Sequence, residues 1–142
     1  MRITGGDFKG RTFSFPAGSN ERPTSDFLRE ALFNLLGSLK GKKFLDLFAG
    51  SGSVGMEAAS RGADEVLLVE KSRNLKVVAE KNIKLLSLES NCRVICAVAD
   101  KALKELAQKN YRADVIFADP PYNKNLADET IESLSRHGIL AE

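Results

Sequence analysis

The stretch FLDLFAGSGSVG, from Phe44 to Gly55, decides the fold of this 142-residue chain. It opens with an apolar run of strand length and continues into glycines that match the pattern GxGxxG. A strand that leads through such a loop into a helix is typical of nucleotide-binding α/β domains, because glycines let the backbone approach the ligand closely. The stretch therefore predicts a parallel sheet with a ligand site at the carboxyl end of its first strand.

Three further apolar runs of strand length lack polar alternation: Val66 to Glu70, Arg93 to Val98 and Asp114 to Asp119. Strands of this kind are buried on both faces, as in a parallel sheet. Helical patterns lie between the runs, at Gly52 to Arg61, Ser72 to Leu86 and Asp100 to Lys109. This alternation indicates strand-helix-strand units with right-handed crossovers. With the glycine loop after the first strand, we predict an α/β fold with a Rossmann-like sheet of strand order 3-2-1-4.

Two segments precede the sheet. Residues 1–22 are predicted as a basic, glycine-rich arm or hairpin, and residues 23–39 as a helix. The residues Pro23-Thr24-Ser25-Asp26 offer the side chains that cap a helix N-terminus. The apolar stripe of this helix is predicted to face the core; it comprises Leu28, Ala31, Leu32, Leu35 and Leu36.

After Asp119 the sequence predicts one more helix, Leu126 to Arg136, and then five residues, Gly138 to Glu142. The fourth strand would be left as a long apolar edge, which proteins normally cover or pair. We therefore expect a single domain over residues 1–142, with a core over 44–142 from which C-terminal strands are missing.

Composition places the chain among globular proteins, with 43% hydrophobic and 28% charged residues. No apolar run approaches the roughly 20 residues of a membrane span, and the N-terminus lacks a signal peptide's apolar segment, so we expect a cytoplasmic protein. The two cysteines, Cys92 and Cys96, are predicted as reduced, buried thiols. No metal-ligand cluster is visible in the sequence.

Charge is distributed unevenly along the chain. Residues 1–43 hold eight Lys or Arg against four Asp or Glu, a balance of +4, whereas residues 44–142 hold thirteen against fifteen, a balance of −2. A basic front end could meet a polyanion such as a nucleic acid, and a solvated basic surface is the alternative.

Two acidic residues accompany the glycine loop. Asp46 lies inside the apolar strand, where an unpaired carboxylate costs several kcal/mol. A cationic ligand would offset that cost, and S-adenosyl-L-methionine carries both an ammonium and a sulfonium; the alternative is a carboxylate that backbone N–H groups satisfy. Glu70 ends the second strand and is placed to accept hydrogen bonds from ribose hydroxyls.

The motif Asp119-Pro120-Pro121-Tyr122 ends the fourth strand, at the sheet edge where ligands of open α/β sheets bind. Two successive prolines fix the backbone and remove two N–H donors, so the turn offers acceptors: the Asp119 carboxylate and the Pro120 carbonyl. Two acceptors can hold the hydrogens of an exocyclic amino group on a base. Tyr122 can stack a flipped-out base. A structural Pro-Pro turn with a capping Asp is the alternative.

Together, DLFAGSGSVG and DPPY resemble the class I S-adenosylmethionine-dependent amino-methyltransferases. The segments RITGGDFKGRTF, Arg2 to Phe13, and RPTSDFLREALFNLL, Arg22 to Leu36, resemble more narrowly the RsmD family, which methylates the N2 amino group of a guanine in bacterial 16S ribosomal RNA. The resemblance implies that Arg22, Pro23 and Thr24 border the methionine end of the cofactor and that Glu70 holds the ribose. It implies a cradle for the cofactor made of Asp46, Ala49, Gly50, Ser51 and Gly52.

The remaining contacts are expected from the resemblance, for the cofactor, and from the basic charge of the arm, for the RNA. Asp100, after the third strand, is our choice for the adenine, with a possible one-residue offset; Asp119 is expected to touch both cofactor and base. Arg2, Lys9 and Arg11 of the arm are expected to hold phosphates of 16S ribosomal RNA, either free or within a small-subunit assembly. No membrane or metal partner is expected.

Three competing functions remain open on the sequence. A DNA adenine-N6 or other amino-methyltransferase would share the DPPY motif, although the RITGG and RPT segments argue against it. A nicotinamide oxidoreductase would share GxGxxG. A catalytically inactive cofactor-binding or RNA-binding fragment is favoured only by the short C-terminus.

Overall fold

The computed structural model describes residues 1–15, 24–121 and 124–141. The strands in these ranges are β1 (Lys43–Asp46), β2 (Glu65–Glu70), β3 (Cys92–Cys96) and β4 (Val115–Phe117). The helices are α1 (Asp26–Leu36), α2 (Ser53–Ser60), α3 (Arg73–Leu85), α4 (Ala99–Gln108) and α5 (Lys124–His137). No helix in the described ranges has both the length and the apolarity that a bilayer span needs.

The four strands form one parallel sheet of order β3-β2-β1-β4. The predicted α/β fold and strand order are therefore confirmed. Asp46 pairs in register with Leu68 of β2 and with Phe117 of β4, so three strands reach the same edge of the sheet together. Asp46 and Glu70 end β1 and β2 there, and Asp119 follows β4; all three are residues that the sequence predicts for the site.

Sheet residues point alternately into two cores, which explains why the strands lack polar alternation. One core contains Phe44 and Leu68 and is covered by α1, α2 and α3. The other contains Leu45 and Leu67 and is covered by α4 and by Ile139, which follows α5.

The chain just before β4 is paired on its outer side by a residue that follows α5. Ala113 forms an isolated parallel bridge with Leu140, in which Ala113 N donates to Ile139 O (2.8 Å) and Ala141 N donates to Ala113 O (2.7 Å). In the described ranges, no strand lies beyond the three residues of β4 itself. The expectation that C-terminal strands are missing from this chain stays a prediction.

Helix α1 begins where its capping sequence predicts. The Ser25 hydroxyl accepts a hydrogen bond from the Leu28 N–H (3.1 Å), and Gly37, with φ of +71°, ends the helix. The helix is therefore shorter than the predicted range of 23–39, and Pro23 lies outside the described residues.

The inward face of α1 differs from the prediction. Arg29 and Phe33 are both 0% exposed, whereas Leu35 is 88% exposed and Phe27 is 78% exposed. Of the predicted inward residues, Leu28, Ala31, Leu35 and Leu36 are exposed and Leu32 is half-buried. The prediction was wrong because a buried carboxylate, not the apolar stripe, fixes the rotation of this helix about its axis.

That carboxylate belongs to Glu57 of α2, which is fully buried. Its Oε1 accepts from Thr4 N (3.0 Å) and lies 3.4 Å from Arg29 Nε, and its Oε2 accepts from Gly5 N (3.0 Å) and Arg61 Nε (2.9 Å). Four donors from the N-terminal segment, α1 and the end of α2 thus meet on one side chain. A buried charge requires such partners.

The N-terminal segment forms the hairpin that its glycines predict. Arg2 and Thr12 make an antiparallel bridge, and Gly6 and Gly10 have φ of +80° and +86°. Ile3 is buried within the core, so the hairpin is docked on the body of the protein.

Both cysteines are free, but only Cys92 is buried; Cys96 is exposed, which corrects the prediction that both are buried. Burial raises the pKa of the Cys92 thiol to about 12. This thiol therefore behaves as a small apolar core residue.

Replacing Glu57 by Gln should destabilise the fold strongly. A carboxamide loses the ion pairs with Arg29 and Arg61 and leaves Asp26 as the carboxylate partner of the buried Arg29 guanidinium. Removing one partner of a buried ion pair costs about 3 to 5 kcal/mol. Urea unfolding measures the free energy of unfolding.

The matched control is Glu80→Gln, which removes an exposed i,i+4 pair with Lys76 (3.3 Å). Exposed pairs contribute less than about 1 kcal/mol. If the two variants lost equal stability, the network around Glu57 would not hold the fold.

Candidate functional site

A cavity of about 840 Å³ opens at the carboxyl ends of β1, β2 and β4. It falls in the upper part of the range of roughly 300 to 1,000 Å³ for small-molecule sites. Its walls are the glycine loop, the start of α4, one face of α5 and the turn after β4. The sheet thus places a cavity where the sequence predicts a ligand site.

The glycine loop forms one wall through Ala49, Gly50 and Ser51. Gly52 does not line the cavity; it has φ of +91°, and its N–H donates to Ala49 O (2.8 Å). A Cβ on Gly52 would lie 3.1 Å from Leu68 Cδ1. Gly52 therefore serves the turn and the packing of the loop on β2, and a direct ligand contact is not supported by its position.

Glu70 closes the wall next to this loop. Its Oε1 accepts from Gly50 N (2.9 Å) and its Oε2 from Ser72 N (2.7 Å), and the side chain is buried. Each carboxylate oxygen keeps a second acceptor site. The side chain can thus hold the loop and still accept from a hydroxyl in the cavity.

Asp46 lies at the cavity floor and is 1% exposed. The Phe48 N–H donates to its Oδ1 (3.2 Å). Burial raises the pKa of Asp46 to about 7. The hydrogen bond from the Phe48 N–H opposes this rise, and the negative charges of Glu70 and Asp119 add to it. A cation in the cavity would stabilise the charged form of this carboxyl.

The turn after β4 brings Asp119, Pro120 and Pro121 to the cavity. It is tied to β1 because Leu47 N donates to Phe117 O (3.0 Å). The fourth residue of the motif, Tyr122, lies outside the described residues. So do Arg22 and Pro23, whereas Thr24 lines the cavity.

Asp100 also lines the cavity, in the first turn of α4. It accepts a hydrogen bond from the Ser133 hydroxyl (2.6 Å) and lies 3.3 Å from Arg136 Nη2. The Ser133 hydrogen bond, with a smaller contribution from Arg136, lowers the pKa of the Asp100 carboxyl below its usual value. The adenine contact assigned to Asp100 stays a prediction.

Helix α5 supplies a wall that the sequence prediction missed. Leu126, Glu129, Thr130 and Ser133 recur at helical spacing and all line the cavity. That spacing predicts a shared face, but the sequence does not show which element the face would meet.

Charge in the cavity is mostly negative. Among the described lining residues there are six carboxyl groups and two cations; they are Asp46, Glu70, Asp100, Asp119, Glu129 and Glu132, against Lys71 and Arg136. Such a cavity favours a cationic ligand over a phosphate-rich one. In the described part of the chain, no group of three or more His, Cys, Asp or Glu could hold a metal ion.

The arm cations Arg2, Lys9 and Arg11 do not line this cavity. All three are exposed on the hairpin. Arg2 Nε lies 3.8 Å from Asp26 Oδ2, and Arg11 Nη2 donates to Leu85 O (3.0 Å). Their contact with RNA stays a prediction.

Asp46→Asn should remove a pH dependence of stability. Between the ordinary pKa of 3.8 and the raised value of about 7, the folded protein holds a proton that the unfolded chain has released. The stability contributed by this group is fully present below pH 3.8 and is lost as the pH rises towards 7, by roughly 1.4 kcal/mol per pH unit. In urea unfolding, the free energy of unfolding of Asp46→Asn should rise relative to that of wild type between about pH 5 and about pH 7.

Asp64→Asn is the control, since Asp64 is exposed and accepts from Gly41 N (3.1 Å). The stability of the Asp64→Asn variant should change with pH in parallel with that of wild type. A constant gap between Asp46→Asn and wild type over this interval would contradict a buried, uncompensated Asp46.

The whole chain, residues 1–142, matches the family model described as conserved hypothetical protein 95. Ribosomal RNA small subunit methyltransferase D of Escherichia coli K12 is 40% identical over 143 residues, which cover 100% of this chain and 70% of that protein. The protein of the same name from Haemophilus influenzae is 33% identical, over 99% of this chain and 73% of its own length.

Solved structures agree with these relatives. The yhhF protein of Escherichia coli has 40% identity and a TM-score of 0.87, over 99% of this chain and 75% of that chain. A hypothetical protein of Thermus thermophilus has 34% identity and a TM-score of 0.84, over 99% of this chain and 80% of that chain. Family model, relatives and fold lead to one assignment: this chain belongs to the conserved hypothetical protein 95 family, of RsmD type, as its sequence motifs indicate.

Proposed function

We propose that this protein transfers a methyl group from S-adenosyl-L-methionine to the exocyclic N2 amino group of a guanine in 16S ribosomal RNA. The observation that carries this proposal is one cavity that contains both the buried Asp46 carboxylate and the Asp119-Pro120-Pro121 corner. The carboxylate suits a cationic cofactor, and the corner suits an amino group.

The residues present fit S-adenosyl-L-methionine. In the described chain, the Asp46 carboxylate accepts one N–H hydrogen bond, and its pKa is raised. A nearby ammonium or sulfonium would stabilise its charged form. Glu70 would hold the ribose hydroxyls, and Thr24, Ala49, Gly50 and Ser51 would border the rest. Bound there, the cofactor supplies an electrophilic methyl group on sulfur.

A dinucleotide fits less well. Rossmann sites place a pyrophosphate on free N–H groups of the glycine loop. Here Ala49 N, Gly50 N and Gly52 N already donate to Val69 O, Glu70 Oε1 and Ala49 O. The excess of carboxylates would also repel two phosphates, which disfavours the oxidoreductase alternative.

At the corner, the Asp119 carboxylate and the Pro120 carbonyl can accept the two hydrogens of an amino group and turn its lone pair towards the methyl donor. The protein needs no strong base at the start, because the amine becomes acidic only as it is methylated. Positioning of the two reacting groups then supplies most of the rate enhancement. Tyr122 is proposed to stack the base.

The negative cavity also restricts how a nucleic acid can enter. A phosphodiester would be repelled, so only the base enters while the backbone stays outside. Extruding a base from a helix costs a few kcal/mol, and least where the base is unpaired. The exposed cations Arg2, Lys9 and Arg11 are proposed to hold the backbone on the hairpin.

The relatives support RNA as the substrate class. Two proteins at 40% and 33% identity are named ribosomal RNA small subunit methyltransferase D. DNA carrying unpaired adenine is the discriminating substrate: methylation of such DNA in place of RNA would favour the adenine-N6 alternative.

Glu70→Ala should weaken binding of S-adenosylhomocysteine by about 1 to 3 kcal/mol, because ribose hydroxyls and two loop N–H groups lose a charged acceptor. Calorimetry measures the affinity. Glu65→Ala, at the other end of β2 and 4.0 Å from Lys43 Nζ, is the control and should bind as wild type does. Equal affinity in both variants would remove Glu70 from the site.

Asp119→Ala should slow methylation of 16S ribosomal RNA in single turnover by a factor on the order of 10² or more, since the lost acceptor acts mainly in the transition state. Affinity for S-adenosylhomocysteine should change by less than about 1 kcal/mol.

The control is Asp128→Ala, an exposed aspartate of α5 that does not line the cavity. It should methylate at the wild-type rate. A wild-type rate for Asp119→Ala as well would refute the proposed role of the corner, and absence of any methylation by wild type would favour the inactive-fragment alternative.

A further inference from the structure

Asn82 of α3 is a polar side chain with 0% exposure that the site described above does not use. Its Nδ2 donates to Ser14 O (2.8 Å) and to Ser51 O (3.2 Å), and its Oδ1 accepts from Ser14 N (2.9 Å). A buried carboxamide is costly unless it is hydrogen-bonded, and this one is bonded at both ends.

The two residues that Asn82 joins belong to different parts of the chain. Ser51 lies in the glycine loop and lines the cavity. Ser14 follows the hairpin and precedes Phe15, which also lines the cavity. One amide therefore sets the distance between two walls of the same cavity.

Elsewhere the hairpin is held by other elements. Gly5 N donates to Glu57, Phe8 N donates to the Ser60 hydroxyl (3.0 Å), and Arg11 donates to Leu85 O. These acceptors lie within α2 or at the end of α3. In the ranges that the structure describes, the hydrogen bonds from Asn82 are the ones that tie this segment to the glycine loop.

We propose that Asn82 is a positioning residue that couples occupancy of the cavity to docking of the N-terminal segment. A ligand that immobilises the glycine loop also immobilises the carbonyl oxygen of Ser51. The Asn82 amide donates to that oxygen and is then fixed as well. Through its hydrogen bonds with Ser14, the amide in turn fixes Ser14 and the adjacent Phe15. The inference rests on the proposed function, because the ligand is the methyl donor or its product.

Coupling of this kind is reciprocal. If the loaded cavity holds the hairpin in place, the hairpin presents Lys9 and Arg11 to RNA at a lower entropic cost. RNA should therefore bind more tightly to the cofactor-loaded protein, and the cofactor should bind more tightly in the presence of RNA.

Amide hydrogen exchange at Ser14 tests the coupling directly, because its N–H donates to Asn82. In wild type, saturating S-adenosylhomocysteine should slow this exchange by about 10-fold or more, as expected for coupling of roughly 5- to 150-fold. The Phe8 amide, held by Ser60, is the internal reference and should respond less.

Asn82→Ala should still bind S-adenosylhomocysteine, with the ligand-dependent slowing at Ser14 reduced to less than about 2-fold and the effect of RNA on cofactor affinity reduced towards none. Asn91→Ala is the matched control, since Asn91 Nδ2 also donates to a backbone carbonyl, Ala63 O (3.2 Å), away from the cavity. It should keep both effects.

Each outcome is decisive. If wild type binds S-adenosylhomocysteine and Ser14 exchange is unchanged, the inference is overturned and the proposed function stands. If wild type does not bind it, both fall. Should Asn82→Ala fail to fold, Asn82→Asp replaces it, because Asp keeps the acceptor for Ser14 N and lacks the donor to Ser51 O. Ligand-dependent slowing at Ser14 that is as large in this variant as in wild type would overturn the inference.

Discussion

The buried carboxylate of Glu57 is the constraint on which the rest of the structure depends. Once water is excluded from it, its charge must be met by donors, and those donors come from the hairpin, α1 and the end of α2 together. Arg29 extends the same network, because it also donates to Thr24 O (3.4 Å) and pairs with Asp26. This network fixes the position of Thr24, just before α1, relative to the start of α2 at the glycine loop. Both border the cavity.

The cavity itself follows from parallel strands. Because β1, β2 and β4 end at one edge, Asp46, Glu70 and Asp119 are brought near one another without any need for proximity in sequence. Burial disfavours the charged form of Asp46 and raises its pKa, and the negative charges of Glu70 and Asp119 add to this effect. The fold tolerates that cost because the two apolar cores on either side of the sheet do not involve these residues.

Local patterns in the sequence predicted the features that depend on local chemistry. The Ser25 cap and the turn at Gly50 and Gly52 needed only neighbouring residues. The strand order instead followed from the Rossmann-like pattern of the whole chain. The features that the sequence could not predict depend on partners far along the chain. Arg29 faces inward because of Glu57, Ser14 is held by Asn82, and α5 becomes a cavity wall because Ser133 meets Asp100. Element boundaries shifted by a few residues, as capping and fraying allow.

In helix α1, a charged residue tolerates substitution less well than two of the apolar residues do, which is the reverse of the usual pattern. Leu35 and Phe27 stand in solvent, so exchanging them for polar residues removes little packing, whereas any replacement of the fully enclosed Arg29 removes contacts that no other side chain reproduces. A library of single substitutions along this helix, selected for folded protein, would therefore retain Arg29 together with the buried Phe33 and let the exposed apolar positions vary.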